Sequence, residues 1–464
     1  MRTPAGSPSH PRTHDYDLLV KDAQLLVVDG ATEIPGGWIA LRDGRVAAVG
    51  GPGSEPASVA RTVAATGRLV TPGLINTHHH LYQNLTRSFA PAVNGTLFDW
   101  LTTLYPLWSG LDAEAVHLST YVGIAELLMG GCTASMDHLY VHPRPRLVDA
   151  GIRTAQEIGF RFHATRGSMT RSVEDGGLPP RSVTQTDDEV LADSERVVTA
   201  YHDPSPGALI RVALAPCSPF SVTKELMVQT AELAERLDVR LHTHLAEDPD
   251  EDAFCQETHG CRPVEYFESV GWMTDRTWVA HCIYAHDDER ARLAAAGVGV
   301  AHCPSSNMLI GGGTAAVREM RALGMPVGIG CDGSASTDHA SLWMEARAAL
   351  LLARYRGGPG AMAARDALDM ATRGSARCLG RDDELGHLRP GACGDLVVWN
   401  THEVALAGSF TDPVEAWLRC GPSRAWTTIV GGRVLVDRGE PQLPELAEKL
   451  RDHARVARRI QRLK

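Results

Sequence analysis

From Tyr16 to about Val70, apolar and polar residues alternate in short runs, YDLLVKDAQLLVVD and then WIALRDGRVAAVG. This is the two-residue period of strands with one buried face. Asp43-Gly44 interrupts the second run as a hairpin turn. The same idiom returns near the end of the chain in DLVVW (395–399) and TTIVGGRVLV (427–436), with Gly431-Gly432 as its turn. Neither stretch can bury a sheet face alone, so the pattern predicts one small composite β-sandwich over residues 16–70 and 385–445.

Between these stretches, strand-like and helix-like runs alternate about eight times. The strand candidates are 69–80, 132–138, 161–167, 209–217, 240–247, 277–282, 297–304 and 326–333. Eight βα units in series predict an α/β fold, a (β/α)8 TIM barrel over residues 71–384 with the sandwich attached. Asp112 is placed to cap a helix running to Met129, and His286 or Asp287 to start another. Residues 1–15, polar and Pro-rich, are expected to be a disordered tail. Residues 446–464 are expected to form a basic helix that serves as a solvated or packing face.

Composition narrows the function. A net charge of −11 argues against nucleic acid or an anionic membrane as partner, because both draw on clustered Lys and Arg. No run of about 18 apolar residues suits a membrane span, and the N-terminus has no apolar signal-peptide core. Ten scattered cysteines without a C-x-x-C pair read as reduced thiols, which places the chain in the cytoplasm. A small heterocyclic substrate and a homo-oligomer are the partners expected.

Candidate chemistry sits at the strand ends. Side chains alternate across a strand, so His78 and His80 of the first candidate share a face, as do His242 and His244 of the fifth, with Glu247 three residues further on. His242 lies one layer deeper and reads as a supporting residue. His281 ends the sixth candidate and Asp332 the eighth. A barrel delivers the C-terminal ends of its strands to one mouth, so His78, His80, His244, His281 and Asp332 are expected to converge. Three imidazoles and a carboxylate with an open position suit catalytic Zn²⁺, with Fe²⁺ an alternative that ligand type alone does not separate.

The run PGLINTHHH, the strand-five HTHLAE, His281, AHCPSSN and Asp332 together resemble the amidohydrolase superfamily over nearly the whole chain. Within it, HHHLYQNLTR, LFDWLTTLYPLW, APCSPFS, HCPSSNMLIGGG and DGSASTDHA resemble the mononuclear-metal aminohydrolases of purine and triazine rings, bacterial 8-oxoguanine deaminases in particular. The resemblance implies His78, His80, His244 and Asp332 as metal ligands and Glu247 as proton shuttle. It also implies His281 as the residue that holds the nucleophilic water or the oxygen formed from it. Two-metal members carry a strand-four lysine, whereas LIRVALAPC has none, so one metal per subunit is expected.

Asp332 can then accept a proton as water attacks an amino-bearing ring carbon, while Glu247 protonates the neighbouring ring nitrogen. Gln83 offers a donor and an acceptor to a purine edge. The long first loop, 81–109, carries Phe98, Trp100 and Trp108, of which Trp100 is the favoured cover for a flat ring. Cys217 stands where many relatives have a histidine, and would leave room beside an additional exocyclic oxygen. Arg166 can face either substrate or a carboxylate.

The reaction expected is deamination of 8-oxoguanine to urate and ammonia. The alternatives are an s-triazine amino- or alkylamino-hydrolase and a guanine or isoxanthopterin deaminase. A non-catalytic barrel with a structural metal would have lost one of Glu247, His281 or Asp332, and all three are present.

Overall fold

A computed structural model describes residues 14–463. The N-terminal alternation folds into a four-stranded sheet around Tyr16–Lys21, with Trp38–Arg42 antiparallel on one side and Val59–Ala64 parallel on the other. Asp43 and Gly44 take φ values of 51° and 73°, the left-handed pair that a tight two-residue hairpin requires. A second, seven-stranded sheet mixes the two ends of the chain. Leu69–Pro72 pairs with Leu25–Val27 on one side and with Leu396–Trp399 on the other, and Ala425–Val430 and Arg433–Asp437 continue outward. Leu18, Ile39, Leu41 and Val46 of the first sheet pack with Leu26, Val70, Leu396, Val398 and Ile429 of the second in one apolar core.

Eight parallel strands close the barrel: Leu74–Asn76, Cys132–Leu139, Arg161–Ser168, Ile210–Pro216, Arg240–Leu245, Thr277–His281, Gly299–His302 and Val327–Ile329. Closure is made by Ile329 against Asn76. Val212, Leu214, Leu241 and Val300 face the helix layer, whereas Ala134, Met136, Ala213, Trp278 and Ala301 fill the interior. Asp112 caps Ala113–Met129 by accepting from the Ala115 amide, and His286 precedes Asp287–Ala295.

Three expectations need correction. The run 69–80 is not one strand: it serves the sandwich to Pro72, crosses at Gly73, joins the barrel at Leu74–Asn76, and ends in a short ribbon in which His79 lies opposite Asp332. Thus Asp332 lies beyond barrel strand eight, not at its last residue. The stretch 81–109 is not a plain loop, because it contains a 3-10 turn (Leu81–Thr86) and an α-helix (Leu97–Trp108). Of the N-terminal tail, residues 1–13 lie outside the described residues, but Asp15 is held, its amide donating to the Ser58 carbonyl at 3.2 Å.

The last helix, Leu446–Ile460, packs against Ala113–Met129 and the Leu81–Thr86 turn. Among the described residues, no helix is long and apolar enough to cross a membrane.

Candidate active site

The strand ends that carry the site leave the barrel in left-handed backbone. Ala246, His281, Cys282 and Asp332 have φ values between 50° and 68°. Each such non-glycine conformation costs on the order of 1–3 kcal/mol and persists only where its surroundings over-determine it. They do so here. The Glu251 carboxylate accepts both the Ala246 and Glu247 amides at 2.9 Å, the Cys282 amide donates to the Leu245 carbonyl, and the Asp332 amide donates to the His78 carbonyl.

These turns bring distant residues to one point. Asp332 Oδ1 lies 3.3 Å from His78 Nε2 and 3.2 Å from His80 Nε2, and the latter lies 3.2 Å from His244 Nε2. The outer ring nitrogens fix the tautomers. His80 Nδ1 donates to the His138 carbonyl at 2.7 Å and His244 Nδ1 to the Cys217 carbonyl at 2.6 Å. His242 Nδ1 donates to the Trp278 carbonyl, so its Nε2 accepts from His78 Nδ1 at 2.9 Å. Burial holds His78 and His242 well below the ordinary imidazole value and pushes His244 down to about 3, so these rings are neutral.

Three Nε2 lone pairs therefore face one another and a carboxylate oxygen inside the protein. That arrangement is repulsive unless a cation sits between them. Ligand atoms around a tetrahedral metal with bonds of about 2.0–2.1 Å are about 3.3 Å apart, which matches the spacings found. The buried residues thus fit a divalent metal. Imidazole nitrogen with one carboxylate is a borderline-to-hard donor set. Two groupings of four buried residues bring their ligand atoms close enough for a cation: His78, His244, His281 and Asp332, and His78, His80, His138 and His244. His138 Nε2 donates to the Ala215 carbonyl and its Nδ1 has no partner among the described residues; the grouping with Asp332 differs in supplying a negative charge to a cation.

Glu247 Oε1 stands 3.4 Å from His281 Nε2, and His281 Nδ1 donates to Asn307 Oδ1 at 2.8 Å. Burial, reinforced by the charges of Asp332 and Glu251, raises the Glu247 carboxyl well above its ordinary value. A buried carboxyl whose charge is disfavoured, beside a cation site, is placed to give and take a proton. The other Asp332 oxygen accepts the Ser306 and Ser336 hydroxyls at 2.5 and 3.1 Å.

Above this cluster opens a cavity. Gln83, Trp100 and Cys217 line it together with His80, His244, Glu247, His281 and Asp332. Gln83 is buried and its Oε1 has no partner. A Cβ on Gly333 would fall 1.6 Å from that oxygen, so only glycine leaves the carboxamide its place. Trp100 is fixed by donating its indole N–H to the Ala335 carbonyl. Burial pushes the Cys217 thiol up to about 12, which leaves it neutral.

Trp108 does not reach the cavity: it is buried behind Trp100 and Tyr82 and donates to Thr86 Oγ1. Phe98 packs on Phe220. Arg166 faces a carboxylate, Asp193, at 2.6 Å on the helix side of its strand. Sequence reading gave no role to His138, Tyr105, Tyr140, Glu251 or Ser336. His138 has the same strand parity as the inward Ala134 and Met136, a signal that would have found it.

The sequence model of the amidohydrolase family matches residues 69–435. The chain belongs to the amidohydrolase family. It is 46% identical to the 8-oxoguanine deaminase of Pseudomonas aeruginosa, over 91% of this chain and 94% of that protein. It is 37% identical to the hydroxydechloroatrazine ethylaminohydrolase of Pseudomonas sp. strain ADP, over 91% of each. Among solved structures, the atrazine chlorohydrolase of Arthrobacter aurescens TC1 complexed with zinc superposes with a TM-score of 0.90 at 32% identity, covering 95% of this chain and 100% of that one. Like other members of this family, the protein is a hydrolytic enzyme built around a His/Asp metal site. Its fourth barrel strand, IRVALAP, holds no lysine.

Proposed function

We propose that this amidohydrolase converts 8-oxoguanine and water to urate and ammonia, with one Zn²⁺ per subunit held by His78, His80, His244 and Asp332. The observation that carries the reading is the buried Glu247 carboxyl, 3.4 Å from His281 Nε2, in one cavity with the converging Nε2 atoms of His78, His80 and His244 and the Asp332 carboxylate. The 8-oxoguanine deaminase of 46% identity supports the choice of ring.

A divalent metal at this site supplies Lewis acidity and a water whose pKa is brought toward neutrality. The chain's own residues do the rest. Glu247 delivers a proton to the ring nitrogen beside the amino-bearing carbon, which makes that carbon electrophilic. Asp332, fixed by Ser306 and Ser336, accepts the proton released as water adds. His281, its Nδ1 tied to Asn307, turns Nε2 toward the attacking oxygen and orients it. The C–N bond then breaks, and the amino group leaves as ammonia once protonated. Gln83 pairs with the amide edge of the ring, Trp100 covers its face, and Cys217 leaves space beside an additional oxygen.

A second reading, hydrolysis of amino- or alkylamino-triazines, draws on the two triazine-ring relatives. A panel of 8-oxoguanine, guanine, isoxanthopterin and hydroxylated triazines, assayed for ammonia or alkylamine with metal-replete enzyme, decides between them. The proposal expects the highest kcat/KM on 8-oxoguanine. Turnover of triazines alone would overturn the substrate and leave the hydrolytic machinery standing.

Ten unpaired cysteines, eight of them buried, support a reducing compartment such as the cytoplasm. Exposed Met344, Leu351 and Tyr355 along one face of the helix Leu342–Gly357, beside exposed Met308 and Leu309, support a homo-oligomer.

A further inference from the structure

The helix Leu97–Trp108 forms one wall of the cavity through Leu97, Trp100, Leu101 and Tyr105. Leu97 and Leu101 are aliphatic, and the Trp100 indole N–H is already spent on the Ala335 carbonyl. Tyr105 is different. Only 1% of it is exposed, it lines the cavity, and its hydroxyl has no hydrogen-bond partner among the described residues. Burial raises the phenol well above its ordinary value, with smaller contributions from Cys217, Tyr82 and Glu247. The group is therefore a standing O–H donor in the wall of the cavity that Cys217 also lines. The unpartnered Gln83 Oε1 is a standing acceptor in the same space. Leaving a buried donor unmet is costly, a penalty that a ligand acceptor removes on binding.

We infer that Tyr105 determines ring specificity, its hydroxyl donating a hydrogen bond to the carbonyl oxygen that an 8-oxopurine carries on its five-membered ring, next to Cys217. The inference rests on the purine reading above and deepens it. Guanine has a C–H at that position and offers the phenol nothing in return. A site built to bond a substrate polar group discriminates against the analogue that lacks it more strongly than an apolar wall does.

The test is Tyr105→Phe, assayed for kcat/KM on 8-oxoguanine and on guanine alongside wild type, with the metal content and melting temperature of the free enzyme. We expect the 8-oxoguanine value to fall by about 10- to 100-fold and the guanine value to change by less than about threefold. Metal content should be unchanged. The melting temperature should hold or rise, because the hydroxyl removed has no internal partner. That last readout separates a ligand contact from a structural one: a drop of several degrees would mean that the hydroxyl serves the fold. Tyr105→Met, which fills the space without a donor, repeats the comparison should the Phe variant fold poorly. An unchanged ratio between the two purines overturns the inference while the deaminase reading stands. Wild-type enzyme that releases ammonia from neither purine overturns both.

Discussion

A carboxyl group buried like Glu247, with Asp332 and Glu251 adding to the cost of its charge, keeps its proton where an exposed one would lose it. Glu247→Gln preserves shape and removes the transferable proton. Turnover should fall by at least about two orders of magnitude with metal content intact, as elemental analysis and initial rates would show. Loss of metal in that variant would instead make Glu247 a ligand. At this scale much of the site was legible, because strand parity and strand ends are written in the chain: His78, His80, His244, His281 and Asp332 converge as their spacing implied. Tyr105 was not legible, since its importance lies in a hydroxyl that lacks a partner. Pattern alone carries no record of an unmet bond.

The misread element was the segment 81–109. Its helix is coded by Thr96, whose hydroxyl accepts the Asp99 amide, and by Leu97, Trp100, Leu101, Leu104, Tyr105 and Trp108 on one buried face. Pro106 reads as a breaker in sequence, yet it sits in the last turn of the helix. What holds this element comes from the far end of the chain. In the terminal helix, His453 Nε2 lies 2.8 Å from Asn84 Oδ1; just beyond it, Gln461 donates to the Leu85 carbonyl and Arg462 to the Pro106 carbonyl. Asn84 adjoins Gln83, so the terminal helix holds the turn that carries this carboxamide into the cavity. His453→Ala should raise KM by about three- to tenfold while kcat and metal content stay near wild type, because only the seating of that wall is loosened. Steady-state kinetics would reveal it, and an unchanged KM would sever this link.

Across the whole molecule, the barrel and the terminal sheets are joined by buried charge as well as by apolar contact. Arg161, at the start of the third barrel strand, makes two bonds of 2.8 and 2.9 Å to Asp395, and the Gly431 amide also donates to that carboxylate. Both partners are almost fully buried. Asp395→Asn leaves the guanidinium without its counter-charge, and breaking such a pair costs about 3–5 kcal/mol. Denaturant unfolding should show that loss, with activity per folded molecule unchanged; wild-type stability in the variant would refute it. The pairing of the two chain ends was legible from their hairpin turns and alternation. The Arg161–Asp395 bond was not, because its partners stand 234 residues apart and the strand pattern around each carries no sign of the other.

The central claim is that one cation, held by His78, His80, His244 and Asp332, makes this chain a deaminase. Metal-free enzyme titrated with Zn²⁺, followed by ammonia release from 8-oxoguanine, tests it most directly. Activity should start from zero, rise linearly and break at one equivalent per chain. A break at two equivalents, or turnover before any metal is added, would contradict it.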